Sequence, residues 1–216
     1  MITGKKVRNE RAGLRARIAR ALTVTTCLVA LSCAYSLRAH GAEPGRATAW
    51  GLEQLMQRLG EVKRVEAKFV ERKHLRILEA PIEFSGTLYY KAPGYLEKNT
   101  LLPKPQKLVL DQDRLLMEDA KQRRTLRLQD YPVVWAFVES IRATLAGDLK
   151  ALVGFYKVEL HGSEEAWRLS LKPIEPALQS MVNEIRISGQ RESVRTIEVV
   201  EGEGDRSVMT ITAKPR

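Results

Sequence analysis

The sequence predicts a mainly β fold: one antiparallel sheet, curved into an incomplete barrel and covered by two or three helices. Three observations lead there. Most of the chain beyond residue 64 alternates apolar and polar residues with period two, the mark of strands with one buried face. Only two long stretches carry a helical period. Turn residues separate the strands at short intervals, with no long crossover helix between consecutive strands, which excludes a doubly wound parallel sheet.

Each element has its own justification. Glu43 to Ala47, with Pro44 and Gly45, reads as a tether. Thr48 is a candidate N-cap for a first helix, in which Leu52, Leu55, Met56, Leu59 and Val62 recur at helical spacing. From Val65 to Arg72 the period becomes two. Ala80-Pro81 interrupts, and Ile82, Phe84, Gly86, Leu88 and Tyr90 then share a face. Pro93-Gly94 marks a turn into a strand from Tyr95 to Thr100. Gln106 to Leu110, Arg114 to Glu118 and Arg123 to Leu128 are short strands separated by acidic turns. Asp130 is placed to cap a second helix with Pro132 in its first turn, an apolar face of Val134, Trp135, Val138, Ile141 and Leu145, and Gly147 at its end. Asp148 starts a further turn. Strands resume with Tyr156, Val158 and Leu160, then Trp167, Leu169 and Leu171. Pro173 and Pro176 flank a turn. Met181, Asn183, Ile185 and Ile187 are expected to share the next strand's face, ended by Gly189; Ile197 and Val199, a hairpin loop at 202–205, and Met209 and Ile211 complete the chain. The order is therefore a helix, about six strands, one or two helices and about five strands.

The charge places the chain in a cell more than it describes the domain. Of a net charge of +10 over 216 residues, residues 1–41 carry +7, leaving +3 for the rest. A nucleic-acid partner is therefore not expected. The basic block precedes an uncharged apolar stretch, Ala21 to Leu37, the order of a secretory signal peptide. Ala39-His40-Gly41 offers a small-x-small site, with cleavage after Gly41 or after Ala42. An uncleaved anchor is the other reading, though the stretch is short and rich in Thr and Ser for a spanning helix. The expected organisation is a leader over residues 1–41 and one domain over 42–216, working in the periplasm. Cys27 and Cys33 both lie in the leader, neither in a convincing lipidation motif. The mature chain then has no thiol for a disulfide, a metal site or a nucleophile.

Catalytic chemistry is not indicated. His74 and His161 have no second histidine or carboxylate at ligand spacing. No H-E-x-x-H, G-x-S-x-G or G-x-x-x-x-G-K-[ST] motif occurs. The reading is a protein that is not an enzyme and needs no metal and no cofactor. Two basic clusters, Glu71-Arg72-Lys73-His74 and Lys121-Gln122-Arg123-Arg124, read as solvated strand faces or turns, with docking to anionic head groups as the functional alternative.

From Val65 to Leu110, Phe69, then Phe84-Ser85-Gly86-Thr87-Leu88-Tyr89-Tyr90, Lys91-Ala92-Pro93-Gly94-Tyr95, Pro103 and Leu108-Val109-Leu110-Asp111 stand in an order that resembles the periplasmic outer-membrane lipoprotein carrier family, LolA. Trp167 to Pro173, Ile187-Ser188-Gly189 and Glu201 to Asp205 resemble a divergent branch of it. The resemblance implies an incomplete antiparallel barrel with an apolar cavity beneath helices. It also implies a monomeric carrier of lipoprotein acyl chains, or of a related acylated lipid, between an inner-membrane donor and an outer-membrane acceptor. In that family an arginine directly before the proline of the third-strand approach latches the lid helices. Here that position is Ala92, and Lys91 beside it points to the other face and lacks the planar fork.

On this reading the cavity is lined by Phe69, Phe84, Leu88, Tyr90, Val109, Trp167, Leu169, Ile185, Ile197 and Met209. Leu52, Leu55, Leu59, Trp135, Val138 and Ile141 form the lid. The same residues could fill an ordinary core, since alternation does not separate a cavity wall from a packed interior. The competing function is an envelope interaction module that binds a partner strand at the sheet edge.

Overall fold

The computed structural model describes residues 50–214. The expected leader, its cleavage site, Cys27, Cys33 and the Thr48 cap lie outside them. The first helix, α1, runs Leu52–Glu61, with Gly51 at its N-cap. Six strands follow in a meander: β1 (Arg64–His74), β2 (Ile82–Lys91), β3 (Tyr95–Leu102), β4 (Gln106–Asp111), β5 (Arg114–Asp119) and β6 (Arg123–Arg127). A 3-10 turn, Leu128–Asp130, leads into α2 (Pro132–Ala146) and α3 (Leu149–Phe155). Five more strands, β7 (Tyr156–Ser163), β8 (Ala166–Pro173), β9 (Val182–Gln190), β10 (Ser193–Glu201) and β11 (Arg206–Ala213), surround a single short helix, α4 (Pro176–Gln179).

All eleven strands form one curved antiparallel sheet that does not close, in the order β6-β5-β4-β3-β2-β1-β11-β10-β9-β8-β7. The long β1 joins the two meanders by pairing with both β2 and β11, with Phe69 opposite Gly86 on one side and Ile211 on the other. The helical insertion between β6 and β7 leaves those two strands as the edges.

The helices start and stop for local reasons. Pro132 occupies the first turn of α2, where its missing N–H costs nothing. Gly147 closes α2 in the left-handed region at φ 71°, and its N–H donates to the carbonyls of Ala143 and Thr144. Its lack of a side chain has a second use: a Cβ there would lie 2.2 Å from the Met56 carbonyl oxygen, so α1 crosses α2 by backbone contact. Asp148 caps α3 by accepting from the Ala151 N–H at 2.9 Å. Among the described residues, no helix is long and apolar enough to cross a membrane.

Four local expectations are corrected. Asp130 does not cap α2; it sits in the 3-10 turn, 3.3 Å from Arg127, and Tyr131 precedes the helix without a side-chain cap. The segment after Pro173 is not only a turn, because Pro176 starts α4 and Leu178 of that helix is buried. Gly189 does not end its strand, which continues to Gln190. Met181 is exposed and Val182 buried, because a bulge opposite Val200 and Glu201 shifts the alternation at the start of β9.

Candidate functional site

In an antiparallel pair, directly opposed residues share a face. The register therefore sorts every strand position. The face toward the helices contains Val65, Ala67 and Phe69 of β1, Phe84, Leu88 and Tyr90 of β2, and Leu96 of β3. It continues through Leu108 and Leu110 of β4 and Met209 and Ile211 of β11. Ile197 and Val199, then Ile185 and Ile187, then Leu169 and Leu171 carry it across β10, β9 and β8. The opposite face is charged and laced with ion pairs such as Arg72–Glu83, Lys107–Glu97 and Arg186–Glu198.

The helices cover this inner face unequally. Over β7–β9 it is a packed core: Trp167, Leu169, Leu171, Ile185 and Ile187 are buried against Leu55, Met56 and Leu59 of α1, Ala136 and Ala143 of α2, and Leu152 of α3. Leu52, Ile141 and Ile197 pack on its margin. Over β2–β5 and β11 the cover thins. Phe84, Leu88, Leu96 and Met209 are only half-buried, Leu108 is exposed, and none of them belongs to the packed core.

The expected cavity residues accordingly divide. Trp167, Leu169 and Ile185 are in the packed core. Phe69 and Tyr90 are buried on the inner face outside that core. Phe84, Leu88 and Met209 lie on the less covered part of the same face, Phe84 and Met209 on either side of Glu71, with Ile197 opposite Met209. Val109 does not join them. It is opposed by Glu97 and Leu116 and so lies on the outer face, while its neighbours Leu108 and Leu110 point in; a one-residue offset inverts a strand. Trp135 is 40% exposed and packs on Phe155, with ring centroids 6.1 Å apart. Val138 is half-buried and outside the packed core.

The buried side of α2 also differs from the apolar face expected of it. Ala136, Glu139, Ser140, Ala143 and Thr144 point in. Small residues bring the helix close to the sheet. The hydroxyls of Ser140 and Thr144 donate to the carbonyls of Phe137 and Ser140, which satisfies them within the helix. Glu139 is paired with Arg142. Two tyrosines tie α2 to both halves of the sheet. Tyr90 of β2 donates to the Leu145 carbonyl at 3.2 Å, and Tyr156 of β7 to the Ala136 carbonyl at 3.1 Å. Burial raises the pKa of both phenols, that of Tyr156 to about 12. Ala92 carries no latch; its backbone N–H goes to the Lys63 carbonyl at 2.9 Å. A cleft of about 680 Å³ opens between Ala92-Pro93-Gly94, the β4–β5 turn and Trp135, Glu139 and Arg142 of α2. A second, of about 390 Å³, lies between Phe137, Met181, Val182 and Val199 and the β10–β11 hairpin.

One group on the inner face escapes sequence reasoning. Glu71 follows Val65, Ala67 and Phe69 in phase, so it points inward; it pairs with Lys98 of β3 and accepts from the Ser207 hydroxyl of β11 at 2.5 Å. The Lys98 ammonium stands 5.0 Å from the centroid of the Phe69 ring. Gly86 leaves the space between them, since a Cβ there would lie 2.0 Å from the Asn99 carbonyl oxygen and 3.0 Å from the Phe69 ring. Burial works to raise the Glu71 pKa, but the charge and hydrogen bond of Lys98, with Ser207 and Lys73, hold it below the usual carboxylate value. The basic cluster of residues 71–74 is thus split by the pleat: Glu71 and Lys73 point in, Arg72 and His74 out. The available clue was phase, an acidic residue at a position where an apolar one was due. Among the described residues no group of three or more His, Cys, Asp or Glu could hold a metal ion.

Comparison with known proteins gives the following. Residues 44–214 match the family described as outer membrane lipoprotein carrier protein LolA-like. No curated protein matches. Similar solved structures include a LolA superfamily protein from Nitrosomonas europaea, 10% identical over 78% of this chain and 94% of that one, with a TM-score of 0.44. The complex of MucA and MucB from Pseudomonas aeruginosa is 14% identical over 76% of this chain and 58% of that one, with a TM-score of 0.40. LprF from Mycobacterium bovis is 10% identical over 74% and 91%, with a TM-score of 0.34.

Proposed function

The chain belongs to the LolA-like family of outer membrane lipoprotein carriers, and from that premise we propose that it is a non-enzymatic carrier of acyl chains. The cargo is a lipoprotein or a related acylated lipid bound for the outer membrane. In this reading residues 1–41 direct export and residues 42–216 work in the periplasm, between a donor in the inner membrane and an acceptor in the outer one.

The observation that supports the reading is the unequal cover of the inner face. Phe84, Leu88, Leu96, Leu108 and Met209 all remain partly open on that face, which leaves apolar surface for an acyl chain to cover. Each CH₂ withdrawn from water there is worth about 0.8 kcal/mol, so a long chain lying along the tract gains several kcal/mol. An open tract also lets the chain leave again, which transfer requires.

Paired substitutions on the two faces of the sheet test this. Leu88→Asp puts a charge on the open tract; Val109→Asp puts the same charge on the outer face. Binding of a fluorescent palmitoyl probe is expected to fall at least roughly tenfold in the first and to stay near the unsubstituted level in the second. Thermal melts show that each variant is folded. Equal binding by both folded variants contradicts the reading.

The open sheet supports a second reading. β6 and β7 are unpaired edges, and a partner segment could extend the sheet there. A protein that takes up no acyl probe yet captures an extended peptide at an edge would fit that reading instead.

A further inference from the structure

The polar group on the inner face asks for a ligand with a particular head. Glu71, Lys98 and Ser207 sit among Phe69, Phe84, Leu88 and Met209, where charges are costly to hold unless they are paired. The side chains are 15% exposed for Glu71 and 25% for Lys98, so the ammonium is the more accessible partner. Both partners keep hydrogen-bonding capacity, so the difference between them is access. Both Glu71 oxygens are engaged, one by Lys98 and one by Ser207. An ammonium has three donors, and Glu71 supplies the acceptor that Lys98 has among the described residues. Two more cations share this face: Lys73, paired with Glu201 at 3.0 Å, and Arg124 of β6, exposed and outside any ion pair among the described residues.

We infer that Lys98, held in place by Glu71 and the Phe69 ring, receives an anionic head group, a phosphate or carboxylate, of an amphiphile whose chain lies on Leu88, Leu96 and Leu108, the apolar residues around Lys98 in the register. This deepens the carrier reading and rests on it. Glu71 orients the ammonium and is the more enclosed partner, with a contact at each oxygen, while Lys98 is the more accessible and retains donors for an acceptor-rich head. The arrangement also gives the ligand a direction, with its head at the polar group and its tail on the apolar rows.

Three detergent-like probes with the same tetradecyl chain test it: the phosphate, the maltoside and the trimethylammonium, each titrated below micelle formation, with inorganic phosphate as a fourth arm. The phosphate amphiphile is expected to bind at least roughly tenfold tighter than the maltoside, the worth of a charge-assisted hydrogen bond. The trimethylammonium should bind weakest, and inorganic phosphate without a chain should not bind measurably. In the variant Glu71→Gln with Lys98→Met, which leaves no unpaired charge behind, the phosphate-to-maltoside ratio should fall to about one. Equal binding of all three amphiphiles by the unsubstituted protein overturns the head-group site but leaves the carrier reading standing. So does a ratio that survives the double substitution. Failure of every amphiphile to bind overturns the carrier reading and the head-group site with it. Tight binding of inorganic phosphate alone overturns the assignment to an amphiphile. Should the double variant fail to fold, the head-group comparison in the unsubstituted protein decides alone.

Discussion

Gly189 shows how one residue is constrained by its neighbours. It lies opposite Trp167, and a Cβ there would stand 2.4 Å from the Trp167 ring and 2.2 Å from the Ser193 carbonyl oxygen. The indole is 2% exposed and its N–H donates to the Arg191 carbonyl at 2.8 Å, so the ring has no room to retreat. Gly189→Ala is expected to cost about 2 kcal/mol or more through overpacking, read as a lowered urea midpoint at unchanged slope. Gly154, near the end of α3, is the opposite case, since a Cβ added there would meet nothing within 4 Å. Gly154→Ala should stabilise by about 0.5–1 kcal/mol through helix propensity. Equal effects at the two sites would contradict this packing. At this scale the sequence was partly legible. Alternation placed Phe69, Phe84, Leu88 and Tyr90 on one face, since they are in phase within β1 and β2. It misassigned Val109, because Leu108-Val109-Leu110 is apolar throughout and such a run has no phase to read. It also missed Glu71, because a polar residue is normally taken as outward.

At the scale of the element, α2 decides how the molecule is covered. Its limits were legible from Pro132 and Gly147, whose backbone chemistry is local. Its buried side was not, because the larger residues, Trp135 and Val138, dominate any apolar reading, whereas close packing selects Ala136, Ser140 and Ala143. The bulge at the start of β9 and helix α4 were illegible for a related reason: both are set by contacts with β10 and β8 rather than by their own residues. The two tyrosine ties make α2 a helix held at both ends. Tyr156→Phe should cost about 1 kcal/mol at neutral pH, because it leaves the Ala136 carbonyl without this donor. It should also change the alkaline behaviour. The folded-state pKa of Tyr156 is raised from 10.0 to about 12 by burial, so the native state holds that proton more tightly than the unfolded chain. The contribution is complete below the unfolded value and is lost as pH rises from about 10 to about 12. Urea melts across that window should therefore show a steeper loss in the unsubstituted protein than in Tyr156→Phe. Parallel curves would mean that the Tyr156 hydroxyl is not buried in solution as it is here.

At the scale of the whole molecule, the meanders and their antiparallel sense were legible because they follow from turn spacing and the absence of crossovers, whereas the β1–β11 pairing that joins them was not, since it brings together segments far apart in the chain. The unequal cover was not legible, since it depends on where the helical insertion folds back after β6. It gives the two halves of one sheet different surroundings: β7–β9 anchor the helices, and β1–β5 with β11 present the half-open tract and the Glu71–Lys98–Ser207 group. On the proposed carrier reading, function comes from leaving part of an apolar face uncovered. The most direct test is native mass spectrometry of the protein purified from its own envelope without detergent, before and after solvent extraction. The expected result is a lipid adduct that carries an acyl chain, is lost on extraction and is regained when the extract is returned. A bare protein mass before extraction, together with no uptake of the returned lipid, would contradict it.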